Sequence, residues 1–87
     1  TCDAEIVQEK NYAARIDYWQ KVSSSAQDEY KMALALIRSG PLSVAVNANG
    51  MAFYSSGVDD PANCNPRGVD HAVLLVGFGE ENGKKYW

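Results

Sequence analysis

The segment Val69-Asp70-His71-Ala72-Val73-Leu74-Leu75-Val76-Gly77-Phe78-Gly79 constrains this chain more than any other. His71 to Phe78 is an apolar run closed by glycine, the pattern of a strand. The only histidine of the chain stands at its mouth. An imidazole can both take and give a proton and so exchange protons with a nucleophile, which makes His71 the one residue suited to general acid/base catalysis. Spacing alone leaves a second reading open, a satisfied core or surface histidine with no chemical role.

A second strand is expected over Leu42 to Ala48, rich in valine and bounded by Pro41 and Asn49-Gly50. Before it, Tyr30, Ala33, Leu34 and Ile37 recur at helical spacing. Ser25 with Asp28 three residues on resembles a helix start, and Gly40-Pro41 is a stop, which predicts a helix over about residues 26 to 39. The stripe is read as core. Ala14, Ile16 and Tyr18 alternate with Arg15, Asp17 and Trp19, predicting a half-buried strand within Asn11 to Val22. Met51 to Tyr54 suggests one helical turn, and Ser55 to Gly68, with Pro61 and Pro66, reads as a long polar loop. Asn82-Gly83 favours the tight turn of a hairpin leading into Lys84-Lys85-Tyr86-Trp87. An antiparallel sheet with one or two helices against it, an α+β architecture, accommodates all of these. No internal repeat, low-complexity tract or linker interrupts the chain.

Composition narrows the function classes. At 87 residues this is at most one small domain, and chains of that size bury only about 60–65% of their unfolded surface. The net charge is −3, with lysines and arginines scattered rather than gathered on one face, so a nucleic-acid partner is not expected. No apolar run approaches the ~20 residues of a membrane helix, so no membrane partner is expected. Thr1-Cys2-Asp3-Ala4-Glu5 lacks the basic start and apolar centre of a signal peptide, so the chain is expected to begin inside a mature protein. Two cysteines, Cys2 and Cys64, are compatible with an intramolecular disulfide. Cys64 lies in the Asn63-Cys64-Asn65-Pro66-Arg67-Gly68 loop with no helix N-terminus to activate a thiol, which argues against a reactive Cys64–His71 pair. Cys2, Cys64 and His71 contain no pair at the close spacing of metal ligands, so no metal and no cofactor is expected.

Five blocks taken together carry a resemblance. Gly40-Pro41-Leu42-Ser43-Val44-Ala45-Val46-Asn47-Ala48, then Gly50-Met51-Ala52-Phe53-Tyr54-Ser55-Ser56-Gly57-Val58, then Cys64, then Asp70-His71-Ala72-Val73-Leu74-Leu75-Val76-Gly77-Phe78-Gly79, then Lys85-Tyr86-Trp87 resemble, in order and interval, the C-terminal half of a papain-family cysteine protease. Val46-Asn47-Ala48, Gly50-Met51 and Phe53-Tyr54 are most similar to cathepsin F-like and cathepsin L-like members. The likeness is strong from Ser39 to Trp87 and weak before it, resting there on Cys2 and the helix. It implies a papain-like right-hand domain, an antiparallel barrel-like sheet with one main helix, here incomplete. Residues 1–87 are then a partial C-terminal domain, with a missing N-terminal domain as its partner across the cleft. The wall left bare would be apolar and prone to associate.

The resemblance also implies a mechanism. His71 corresponds to the general base of a Cys-His-Asn site acting on peptide and protein substrates. The family's Cys-Trp nucleophile motif has no counterpart here, and its orienting asparagine falls beyond Trp87, so the chain carries the base alone and is expected to be inactive by itself. Ala45, Val69 and Ala72 correspond to positions lining the pocket for the second substrate side chain before the scissile bond; for Ala45 and Val69 plain strand packing remains an equal reading. The Asp70 carbonyl corresponds to one that accepts a substrate hydrogen bond, and its side chain, next to His71, should modestly favour the imidazolium. Cys2 and Cys64 correspond to cysteines that each pair with a partner outside these residues. A lysosomal or secreted parent protein is implied. The alternative is a catalytically inactive homologue serving as a binding or structural module.

Overall fold

Asp28 opens the helix. Its carboxylate accepts the backbone N–H of Lys31 at 3.3 Å, which satisfies an orphan donor and places negative charge at the positive end of the helix dipole. The computed structural model, which describes residues 3–25 and 28–87, gives this helix, α1, as Glu29–Ser39. The start therefore falls later than expected, and the cap is Asp28 rather than Ser25, whose N–H is taken by Ser23 Oγ at 3.1 Å. Ala26 and Gln27 lie outside the described residues. At the other end Gly40 adopts φ +86° and returns its N–H to Leu36 O at 3.1 Å. Pro41 has no N–H with which to continue.

Burial on α1 follows Leu36, with Met32, Ala33, Leu34 and Ala35 half-buried. Tyr30 and Ile37, expected in the core stripe, are 75% and 70% exposed. The helix is apolar around more than one stripe, so periodicity gave its existence but not its inward direction.

Strands β1 (Leu42–Val46) and β2 (His71–Leu75) pair antiparallel, from Leu42 opposite Leu75 to Val46 opposite His71. Alternation puts Leu42, Val44, Val73 and Leu75 on one face and Ser43, Ala45, Ala72 and Leu74 on the other. The first set is half-buried or buried and the second exposed. Both strands are shorter than expected. Pro41 ends the ladder below Leu42 because it cannot donate, which leaves Val76, Gly77 and Phe78 without partners; Val76 is 72% exposed. At the upper end, Asn47 and Ala48 turn their polar groups to the 65–70 segment instead of a strand.

Strands β3 (Gly79–Glu81) and β4 (Lys84–Tyr86) form the expected hairpin. Asn82 and Gly83 at φ +52° and +79° make the turn, the double left-handed conformation for which Asn-Gly is suited. Phe78 and Trp87, just outside the paired residues, meet edge to face with ring centroids 5.9 Å apart. Met51 and Tyr54 each close a backbone turn, to Ala48 O at 3.0 Å and Met51 O at 3.1 Å, without forming a helix. Ser55 to Gly68 is a loop as expected, joined to β4 by an ion pair of 2.9 Å between Asp60 and Lys84.

The strand expected within Asn11 to Val22 is not formed. A 3-10 turn at Glu9–Asn11 leads into irregular chain in which Ile16 is 85% and Trp19 80% exposed. Alternation specifies two faces but supplies no edge to pair with. Among the described residues β1 pairs only with β2 and β3 only with β4. The expected helix and antiparallel strands are therefore present as an α+β arrangement, but as two two-stranded sheets and not a closed barrel. The core is thin: among the described residues Leu36 and Leu75 are its buried side chains. Among the described residues no helix is long and apolar enough to cross a membrane.

Candidate active site

The head of β2 is built by hydrogen bonds rather than by packing. Asp70 donates its backbone N–H to Val46 O at 3.0 Å, continuing the antiparallel pairing one step beyond His71. Its carboxylate accepts the Ala48 N–H at 2.9 Å. Upstream, Asn65 closes a turn in which its carbonyl accepts Gly68 N–H at 3.1 Å and its side chain accepts Arg67 N–H at 3.0 Å. Asn followed by Pro suits the first two positions of such a turn. The Asn47 amide donates to the same Asn65 carbonyl at 3.0 Å. The end of β1 and the approach to β2 are thus laced together over residues 46–49 and 65–70.

His71 begins β2, where the half-buried face of the sheet runs out toward solvent. The residue is exposed. Among the described residues its imidazole takes part in no hydrogen bond or ion pair, so both ring nitrogens are open to a partner. The Asp70 side chain, expected to favour the imidazolium, is committed to Ala48 and makes no ion pair with His71 among the described residues.

Ala45 and Ala72 stand directly opposite each other, both exposed on the sheet face away from Val44 and Val73. Alternation puts the His71 side chain on the other face from this pair. Val69 is 55% exposed in the approach to the strand. The structure therefore brings His71, Asp70, Ala45 and Ala72 to one end of the β1–β2 pair without enclosing them. A hollow of about 650 Å³ lies instead between Tyr18, Trp19 and the Leu34 and Arg38 side of α1. A smaller one of about 330 Å³ lies by Val58 and Lys84. None of the five residues lines either. Among the described residues no group of three or more histidine, cysteine and carboxylate side chains is arranged to hold a metal ion. Cys64 is exposed and, among the described residues, its thiol is free; Cys2 lies outside the described residues, and with it the question of their pairing.

Sequence reading missed Asn47 and Asn65 as the fasteners of this corner. The signal was available in Asn65-Pro66, a turn opener, but nothing in the sequence says that Asn47, eighteen residues earlier, reaches it.

The family model for papain family cysteine proteases matches residues 1–87, the whole chain. The chain belongs to the papain family. It is 41% identical to cathepsin F of Mus musculus over 85 residues, covering 93% of this chain and 18% of that protein. Cysteine proteinase 15A of Pisum sativum is 41% identical over 88 residues, with 86% of this chain and 24% of the relative covered. Cathepsin K of Gallus gallus is 38% identical over 77 residues, with coverages of 86% and 22%. The chain thus spans less than a quarter of the length of these papain-family relatives. No solved structure matches it.

Proposed function

We propose that these residues are part of a cysteine-type endopeptidase that hydrolyses peptide bonds through a Cys-His-Asn site, with His71 as its base. The observation that carries this reading is an exposed histidine with both ring nitrogens unengaged among the described residues, held at the head of β2 in a papain-family chain. His71 takes the proton of a cysteine thiol supplied from outside these residues. The resulting imidazolium stabilises the thiolate, which is the effective nucleophile. The thiolate adds to the scissile carbonyl, and the imidazolium then delivers its proton to the leaving amine. Water completes the cycle by the reverse proton route, releasing the acyl group and restoring the thiol.

Around the base, each neighbour has a part. The Asp70 carbonyl accepts an N–H of the bound peptide, while its carboxylate keeps the strand head closed through Ala48. Ala45 and Ala72 present only methyl groups to each other, and with Val69 they leave room for a bulky apolar side chain two places before the cleaved bond. Cleavage depends on groups beyond this chain, so the 87 residues alone are inactive. The same reading puts the full-length protein in a lysosomal or secreted compartment, where a disulfide at Cys64 persists.

The test is hydrolysis of a Phe-Arg-aminocoumarin peptide in the presence of a thiol reductant. The full-length protein should turn it over and be blocked by an epoxide thiol inhibitor, while the 87-residue chain is silent. Inhibitor-sensitive turnover by the short chain, or none by a folded full-length protein, contradicts the proposal; the second result favours an inactive homologue acting as a binding module.

A further inference from the structure

The corner that presents His71 is fastened at two points, and only one of them is Asp70. The second is Asn47, whose flat side-chain amide works in two directions at once. Its Oδ1 accepts the Asn49 N–H at 3.0 Å, which fixes the chain leaving β1. Its Nδ2 donates to the Asn65 carbonyl at 3.0 Å, which fixes the turn on the way into β2. Gly68 lies against this amide: a Cβ there would come within 3.1 Å of Asn47 Nδ2 and 3.6 Å of Asn65. A side chain at Gly68 would press on the nitrogen that makes the bond and require it to give by a few tenths of an ångström.

We propose that Asn47 is a positioning residue for substrate selection, setting where Val69 is presented by holding the turn upstream of it. Asp70 already ties the chain to Val46 and Ala48 on the His71 side. With Asn65 tied as well, the segment between them has both ends fixed, and Val69 sits inside it, 55% exposed. Release of the Asn65 end leaves His71 held by β2 and by Asp70, but frees Val69 to swing. The consequence falls on binding of the apolar substrate side chain and not on proton transfer. This assignment rests on the peptidase reading above.

Asn47→Asp is nearly isosteric: it retains an acceptor for Asn49 N–H and loses the donor to Asn65. In the full-length protein it should raise KM about three- to tenfold, the equivalent of one neutral hydrogen bond, for a peptide with phenylalanine two places before the cleaved bond. The kcat should stay within about twofold, and a peptide with glycine at that place should lose less. Asn47→Ala, which removes the bonds to both Asn65 and Asn49, should raise KM at least as much. Gly68→Ala should raise KM in the wild-type background and add little in Asn47→Ala, where the amide it would strike is gone. A fall in kcat with KM unchanged, equal losses for both peptides, or wild-type KM in both Asn47 variants overturns the assignment. If one variant fails to fold, the other and Gly68→Ala carry the test. No turnover by the folded wild-type protein overturns the peptidase reading itself, and the assignment with it.

Discussion

Replacing Asp70 tests how the head of β2 is held. Two bonds converge on this residue: its backbone N–H to Val46 O at 3.0 Å and its carboxylate from Ala48 N–H at 2.9 Å. Substitution leaves the first in place and acts on the second alone. A hydrogen bond to a charged acceptor contributes about 1.5–3 kcal/mol, but Asp70 is exposed and water competes for both groups, so about 1 kcal/mol is the appropriate figure. Asp70→Ala removes the acceptor and should cost that amount. Asp70→Asn keeps an oxygen in the same position and should cost only a few tenths of a kcal/mol, about a third of the alanine effect or less. For a folded domain of this size 1 kcal/mol corresponds to roughly 4–8 °C in Tm, and to about half that in a longer chain. The assay pairs thermal unfolding with amide exchange at Ala48 in the full-length protein. Faster exchange at Ala48 should accompany Asp70→Ala and not Asp70→Asn. Equal destabilisation by the two, or an Ala48 amide indifferent to both, would refute the reasoning, since the negative charge or the backbone would then be what matters.

Two further outcomes follow from the packing and the turns. Leu75→Ala removes one of the two buried side chains among the described residues and should cost about 2–4 kcal/mol, enough to unfold the isolated 87-residue chain, readable as loss of the far-ultraviolet dichroism of α1. Gly83→Ala places a Cβ in open space but at φ +79° and should cost about 1–2 kcal/mol from backbone strain alone, whereas Gly77→Ala, also in open space but without a positive φ, should be near neutral; comparison of their denaturant midpoints decides.

The parts of this fold that the sequence made legible are those decided by local chemistry. Asn82-Gly83 demands a left-handed pair and obtains it, and Gly40-Pro41 stops α1 where expected. What stayed illegible depended on partners. Ala14, Ile16 and Tyr18 alternate as a strand should, but alternation cannot supply an edge to pair with, and the segment stays irregular. Val76 to Phe78 are apolar enough to extend β2, yet the length of β2 is set by Pro41 just before the opposing strand β1. The inward face of α1 was misjudged because Ile37 is as apolar as Leu36, the buried residue beside it, and spacing does not separate the two. At the candidate site His71 was visible as a lone titratable group at a strand head, whereas the placement of Ala45 opposite Ala72 is set by the β1–β2 register, which the sequence did not show. The direction of the Asp70 carboxylate and the reach of Asn47 are side-chain choices between segments far apart in sequence, and no spacing rule encodes them.

The central claim is that His71 acts in chemistry and not in packing. His71→Ala in the full-length protein, with kcat/KM and thermal midpoint measured on the same preparation, separates the two. The ring is exposed and, among the described residues, unengaged, so the midpoint should move by no more than a degree or two, while kcat/KM falls by about 10⁴–10⁶, the cost of removing one member of a nucleophile and base unit. Retained turnover, or a loss of activity explained by a loss of folded protein, would contradict it.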